Sequence, residues 1–201
     1  LYNWLVLGFF KLFNSHSLWV FRLPNVLMGL VFGGLIYRFA RYRFTSNQSW
    51  IAALLFVTCG RVLFNDFQLG LIALTHSALL FLNFMVLYHF YHQKRWVWLF
   101  VFSYFIIALT FLMKGLQGPA AQAFTLPAFF LYYRSFKRLF SWQHLLGILV
   151  FLVVLGTYFY LYASTNPEAF STYLSTLWDQ SEQRTFLEYP IQETLLHAFS
   201  Y

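Results

Sequence analysis

Between Trp96 and Met113 the chain runs for 18 residues without one charged side chain. A run of that length is about what a helix needs to cross the ~30 Å hydrocarbon core of a bilayer. Other apolar stretches lie on either side: Trp19 to Ala40, Trp50 to Leu63, Leu69 to Tyr91, Ala120 to Tyr133 and His144 to Ala163. Composition agrees, with 60% hydrophobic and 9% charged residues. Soluble domains hold roughly 45–50% apolar and about 25% charged residues. A water-soluble globular domain, a disordered chain and a coiled coil are therefore excluded. The expected fold is all-α, a polytopic transmembrane helical bundle of about six spans.

The segment Leu1 to Phe13 is too short to span and is broken by Asn3 and Lys11. It reads as a helix lying in the interface, with Tyr2 and Trp4 at headgroup level. Pro24 is expected in the first turn of the first span, where proline is tolerated. Gly29-x-x-x-Gly33 reads as a close-packing pair, and Pro127 as a kink. Cys59 is the only cysteine; it lies in an apolar run and reads as buried packing. From Ser164 the composition turns polar, and Asn166-Pro167 signals a turn. Two domains are expected: a membrane region over 1–163 and an outer loop segment over 164–201. Position 1 is Leu, so the chain is expected to be an internal piece of a longer protein.

Net charge is +7, which in a soluble protein would suggest nucleic acid. Here the basic residues fall in clusters between apolar runs, and no nucleic acid is implied. Arg38, Arg41 and Arg43 follow the first span, Lys94 and Arg95 the third, and Arg134, Lys137 and Arg138 the fifth. Eight of the 13 basic residues thus share one face, while all six acids fall on the other. By the positive-inside rule the basic face is cytoplasmic. The acidic face is then periplasmic or an equivalent outer compartment.

Lys11, Arg22, Arg61, Lys114 and Arg184 go against that trend. Cations held at an outer boundary suit an anionic ligand such as a lipid phosphate, or they snorkel to headgroups. Lys11 fits snorkelling on its amphipathic helix. Lys114 fits a ligand, because Gly115 and Gly118 let the backbone approach closely. Asp66 is the only acid before Asn166. It reads either as a functional carboxylate beside the membrane or as a helix N-cap for the following span. His89 and His92 have metal-compatible spacing but are two ligands only; they read as members of an aromatic interface belt. His76 reads as an interhelical hydrogen-bonding residue. No metal or other cofactor is called for.

The order of Tyr2-x-Trp4-Leu5, Phe21-Arg22-Leu23-Pro24, Asn65-Asp66 and Met113-Lys114-Gly115 resembles a family. It is the polytopic GT-C glycosyltransferases of the dolichyl-phosphate-mannose protein mannosyltransferase and aminoarabinose lipid A transferase type. The resemblance covers roughly Leu1 to Phe140. Trp178-x-x-x-Glu182-x-Arg184-Thr185, with His197 beyond, looks like the outer loop of bacterial members. The resemblance implies transfer of a sugar from a polyprenyl-phosphate carrier to a lipid, glycan or protein acceptor on the outer face, in contact with membrane lipids. It implies that Lys114 and Arg184, with Arg22 and Arg61, hold the carrier phosphate. Asp66 would match the second of the family's outer acidic positions and serve catalysis, the first lying upstream of Leu1. The alternative from another class is a transporter or flippase of a lipid-linked anion, which would use the same outer cations.

Overall fold

Residues 2–15, 17–67, 72–165 and Ser175 are described by the structure, a computed structural model. Its helices are α1 (Tyr2–Phe13), α2 (Leu18–Ala40), α3 (Ser46–Val57), α4 (Ile72–His92), α5 (Trp96–Lys114), α6 (Gln117–Tyr132) and α7 (Trp142–Thr165). A π-helical turn, Val62–Asp66, lies between α3 and α4, and a 3₁₀ turn, Phe136–Phe140, precedes α7. The chain divides into two compact units, Leu1–Leu155 and Gly156–Tyr201. In the second, the described residues are the last turns of α7 and Ser175. Most of the expected outer loop segment, including Glu182, Arg184 and His197, lies outside the described residues.

Among the described residues, four helices are long and apolar enough to cross a membrane: α2, α4, α5 and α7. The other two expected spans form shorter helices. α3 has 12 residues and stops at Val57, about 18 Å of helix at 1.5 Å per residue. α6 has 16 residues, about 24 Å. The helix lengths therefore support four spans and do not establish six.

Helix ends follow local chemistry. α3 is capped by Thr45, whose backbone N–H donates to Gln48 Oε1 at 3.1 Å, one half of a capping box. α4 and α6 end in Schellman turns. Arg95 N–H bonds the Phe90 carbonyl and Lys94 N–H the Tyr91 carbonyl; Ser135 and Arg134 do the same with Phe130 and Leu131. Such turns need a left-handed residue, ordinarily glycine. Here Lys94 (φ 57°) and Arg134 (φ 51°) fill that position. Pro24 lies inside α2, the seventh residue from Leu18, and not in the first turn as expected. Having no N–H, it leaves the Val20 carbonyl without its ordinary helical donor. α6 continues through Pro127.

Two apolar clusters hold the first unit. Leu87, Leu99, Phe100, Leu126, Phe129 and Phe130 join α4, α5 and α6. Phe32, Val62, Leu74 and Ala78 join α2, the π-helical turn and α4. Between α4, α5 and α6 three buried polar side chains close a ring. Asn83 Nδ2 donates to Gln122 Oε1 (2.7 Å), Gln122 Nε2 to Ser103 Oγ (2.6 Å), and Ser103 Oγ to Asn83 Oδ1 (2.7 Å). In hydrocarbon such groups have no water to turn to, so mutual pairing is what permits their burial. Near the basic end, the Arg138 guanidinium lies 4.4 Å over the Trp96 ring, a cation–π contact that ties the 3₁₀ turn to the start of α5.

Glycines mark the closest helix contacts. A Cβ on Gly29 would fall 2.3 Å from the Phe67 ring, and one on Gly33 would fall 2.7 Å from Val57. The expected pair therefore packs against two different partners. On Gly118 a Cβ would lie 2.1 Å from Thr110 Oγ1 and 2.9 Å from Thr110 Cβ. Thr110 is fully buried and its hydroxyl is held by the Ile107 carbonyl. Gly118→Ala is expected to destabilise the protein by about 1–3 kcal/mol, the cost of overpacking. Gly34→Ala, whose Cβ meets nothing within 4 Å, is expected to be neutral or stabilising by up to about 1 kcal/mol. Unfolding midpoints of both variants in detergent check this, and equal midpoints would contradict the packing described.

Candidate functional site

Asp66 owes its position to a chain of two hydrogen bonds that begins on α1. The Tyr2 hydroxyl donates to Asn25 Oδ1 at 3.0 Å, and Asn25 Nδ2 donates to the Asp66 carbonyl at 2.9 Å. Asn25 is completely buried. α1, α2 and the π-helical turn are thereby joined through one amide. Tyr2 was expected at headgroup level, yet it is buried against α2 while Trp4 stays exposed. An amide in an apolar helix attracts the nearest hydroxyl that can satisfy it, and Tyr2 is that group. Burial pushes the Tyr2 phenol's pKa up from its ordinary value, which keeps it a neutral donor.

Asp66 lines a cavity of about 290 Å³ with Arg61, Cys59, Ser77, Leu74 and Phe32. Asp66 is buried, whereas Arg61 is exposed. No ion pair joins the two. The N-cap reading of Asp66 does not hold. Its backbone is helical, and Phe67 after it is also in the right-handed helical region. An N-cap takes an extended backbone immediately before the helix. Cys59, expected to be buried, is exposed. It sits at the break after Thr58, where the chain leaves α3.

Lys114 ends α5 and is exposed. Its ammonium bears electrostatically on His76, near the start of α4. His76 is buried, and its Nε2 has no hydrogen-bond partner, so the interhelical bond expected of it is not made by that nitrogen. The Asp66 cavity is also lined by Ala73, Leu74 and Ser77 of α4. The described start of α4 thus lines the acid's cavity and carries the histidine on which Lys114 acts electrostatically. Arg22 lies on α2 three residues before Asn25, and its Nε is buried without a partner. It does not line the Asp66 cavity. Arg184 lies outside the described residues.

The two glycines after Lys114 have structural reasons of their own. Gly115 takes φ +67°, a conformation that side chains resist. Gly118 packs on Thr110. The histidine pair at the other end is engaged locally. His89 Nδ1 meets the Tyr42 hydroxyl at 3.3 Å and its Nε2 meets Gln93 at 2.8 Å, while His92 packs edge-on to Tyr88 and Tyr133. Among the described residues no group of three or more His, Cys, Asp or Glu side chains is arranged to hold a metal.

Asn25 was not singled out in the sequence, because its partners lie 23 and 41 residues away and no local spacing points to them. Replacing it tests its part in the site. Asn25→Leu is expected to cost about 1–3 kcal/mol, the penalty of leaving a buried carbonyl unpaired. Tyr2→Phe is expected to cost about 1 kcal/mol, one net hydrogen bond. Denaturant unfolding in detergent measures both, and an Asn25→Leu protein as stable as the parent would disprove the link.

Neither the comparison with curated proteins nor that with solved structures gives a match. The model of one protein family, described as dolichyl-phosphate-mannose-protein mannosyltransferase, matches residues 1–160. That stretch takes in α1 to α6, the π-helical turn and most of α7. With its apolar spanning helices, this chain belongs to the dolichyl-phosphate-mannose-protein mannosyltransferase family, a family of membrane glycosyltransferases.

Proposed function

We propose that the protein transfers a sugar from a polyprenyl-phosphate carrier to an acceptor hydroxyl at the membrane end where Asp66 and Lys114 lie. What supports this reading is a buried carboxylate lining a cavity with Ala73, Leu74 and Ser77 of α4, with Lys114 acting electrostatically on His76 of the same helix, in a chain of a glycosyltransferase family. A sugar phosphodiester already has a good leaving group, and it needs charge stabilisation more than protonation. In the proposed step the acceptor oxygen bonds to the anomeric carbon as the bond from that carbon to the carrier phosphate breaks. Lys114 steadies the departing phosphate as a point charge, and Arg184, Arg22 and Arg61 add to it. Asp66 accepts the acceptor's proton or orients its hydroxyl. By analogy with inverting glycosidases, a single carboxylate opposite the leaving group gives inversion. The transferase family does not favour the transporter reading. The acceptor in this reading is a lipid, a glycan or a protein.

The full-length protein, assayed in detergent with a polyprenyl-phosphate sugar, tests these roles. Lys114→Ala is expected to insert normally and to lose most transfer. Asp66→Asn is expected to lose about 10²–10⁴-fold in turnover, the usual range for acid–base participation. Normal binding and turnover in the alanine variant would reduce Lys114 to a snorkelling cation. Normal turnover in the asparagine variant would remove Asp66 from the chemistry.

The proposed orientation puts the basic end in the cytoplasm, in a bacterial inner membrane, and Asp66 and Lys114 outside. Single cysteines at Asn47 and Gln117, in a Cys59→Ser background, can be treated with an impermeant thiol reagent in intact cells. Position 117 is expected to label and position 47 to stay protected. The reverse pattern would invert the orientation and move the proposed site to the cytoplasm.

A further inference from the structure

At the end of the bundle away from Asp66, α4 forms the floor of a groove walled by the end of α2 and by α6. The groove holds about 610 Å³, within the roughly 300–1,000 Å³ usual for ligand pockets. Phe39, Phe84 and Phe129 line its depth, Tyr88 and Tyr132 join them, and Arg43 stands at the border. It is separate from the candidate site. Ser77 of the Asp66 cavity and Tyr88 of the groove are eleven residues apart on α4, about 16 Å along its axis.

Its lining is an apolar trough with a cation at one edge. The Arg43 guanidinium is exposed and stands beside the Tyr88 hydroxyl. Tyr42 divides the groove from a neighbouring cavity that carries Arg38 and Arg41. Asp66 is the only acid among the described residues, and it lines the cavity at the other end. The cations of the basic end therefore have no anionic partner within the described chain.

We propose that this groove binds an anionic phospholipid from the leaflet on the basic side, with one acyl chain among the phenylalanines and its phosphate at Arg43. Apolar trough, aromatic border and unpaired cation match the parts of such a lipid in order. Basic pockets between spanning helices take anionic headgroups in this way, and anionic leaflets favour each nearby cation. The site is independent of the sugar-transfer reading, since it shares no residue with it.

The test is native mass spectrometry of the purified full-length protein, exchanged into mixed micelles or nanodiscs of phosphatidylglycerol and phosphatidylcholine. The parent is expected to retain phosphatidylglycerol in preference. Arg43→Gln is expected to lower that retention about fivefold, the worth of one cation at an anionic surface. Lys137→Gln removes a cation from the same end that does not line the groove, and it is expected to change retention little. Ala128→Trp, at an exposed position on the groove wall, is expected to fill the trough and expel the lipid while unfolding stays at the parent's midpoint. Equal losses in Arg43→Gln and Lys137→Gln would reduce the effect to surface charge and overturn the proposal. Undiminished retention in a folded Ala128→Trp protein would overturn it too. So would displacement of the phospholipid by polyprenyl phosphate, which would assign the groove to the carrier.

Discussion

A buried amide needs partners wherever it lies, and in a membrane it cannot borrow them from water. That constraint at Asn25 organises the candidate end of this protein. The amide accepts from Tyr2 and donates to the Asp66 carbonyl, so an N-terminal helix, a spanning helix and an irregular turn share one fixed point. Val62 and Phe67 on either side of Asp66 are held by apolar packing, and the amide adds a directional bond to it. Leucine and phenylalanine surfaces slide over one another at little cost, whereas a hydrogen bond has a length and a direction. Phe67, next in the chain, lies over Gly29, one helical turn from Asn25. Polar anchor and close contact therefore act on the same stretch of α2.

The ring of Asn83, Ser103 and Gln122 applies the same physics to α4, α5 and α6. It sets the register of the helix that carries Lys114 against the helix that carries His76. Apolar clusters on each side supply contact area, and the ring selects one alignment from those the clusters would tolerate. A family of membrane glycosyltransferases needs such alignment, because a charge placed an ångström away loses much of its effect on a reacting phosphate.

Much of this architecture is readable from the residues, for a physical reason: hydrocarbon imposes one pattern, long and uncharged, on anything that crosses it. The run from Trp96 to Met113 became a helix from Trp96 to Lys114, and His144 to Ala163 became Trp142–Thr165. Where a run was short, the reading weakened. Trp50 to Leu63 was expected as one span, but it divides at Thr58 because α3 starts earlier, at Ser46, and ends in an irregular turn. At the candidate site, Asp66 was legible as a lone acid, and Lys114 as a cation against the charge trend. Their supports were not. Asn25 and the inward turn of Tyr2 depend on a contact across 23 residues, which no local spacing encodes. Asn83 and Gln122 did carry a signal, being amides inside apolar runs, and polar groups in spans face the bundle interior. Cys59 misled, because an apolar neighbourhood in sequence does not reveal a break in the helix.

Lys94 and Arg134 occupy left-handed positions where glycine would be easier for the backbone. In the finished fold each carries a conformational cost of about 1–2 kcal/mol, offset only in part by a cation's attraction to the end of a helix dipole. Their value belongs to an earlier moment. On the proposed orientation these are the charges that hold their loops back while the chain is being inserted, before any helix has a neighbour. A glycine would serve the folded turn and be silent during insertion. On that orientation, the two turns give up backbone ease in the folded state for charge during insertion.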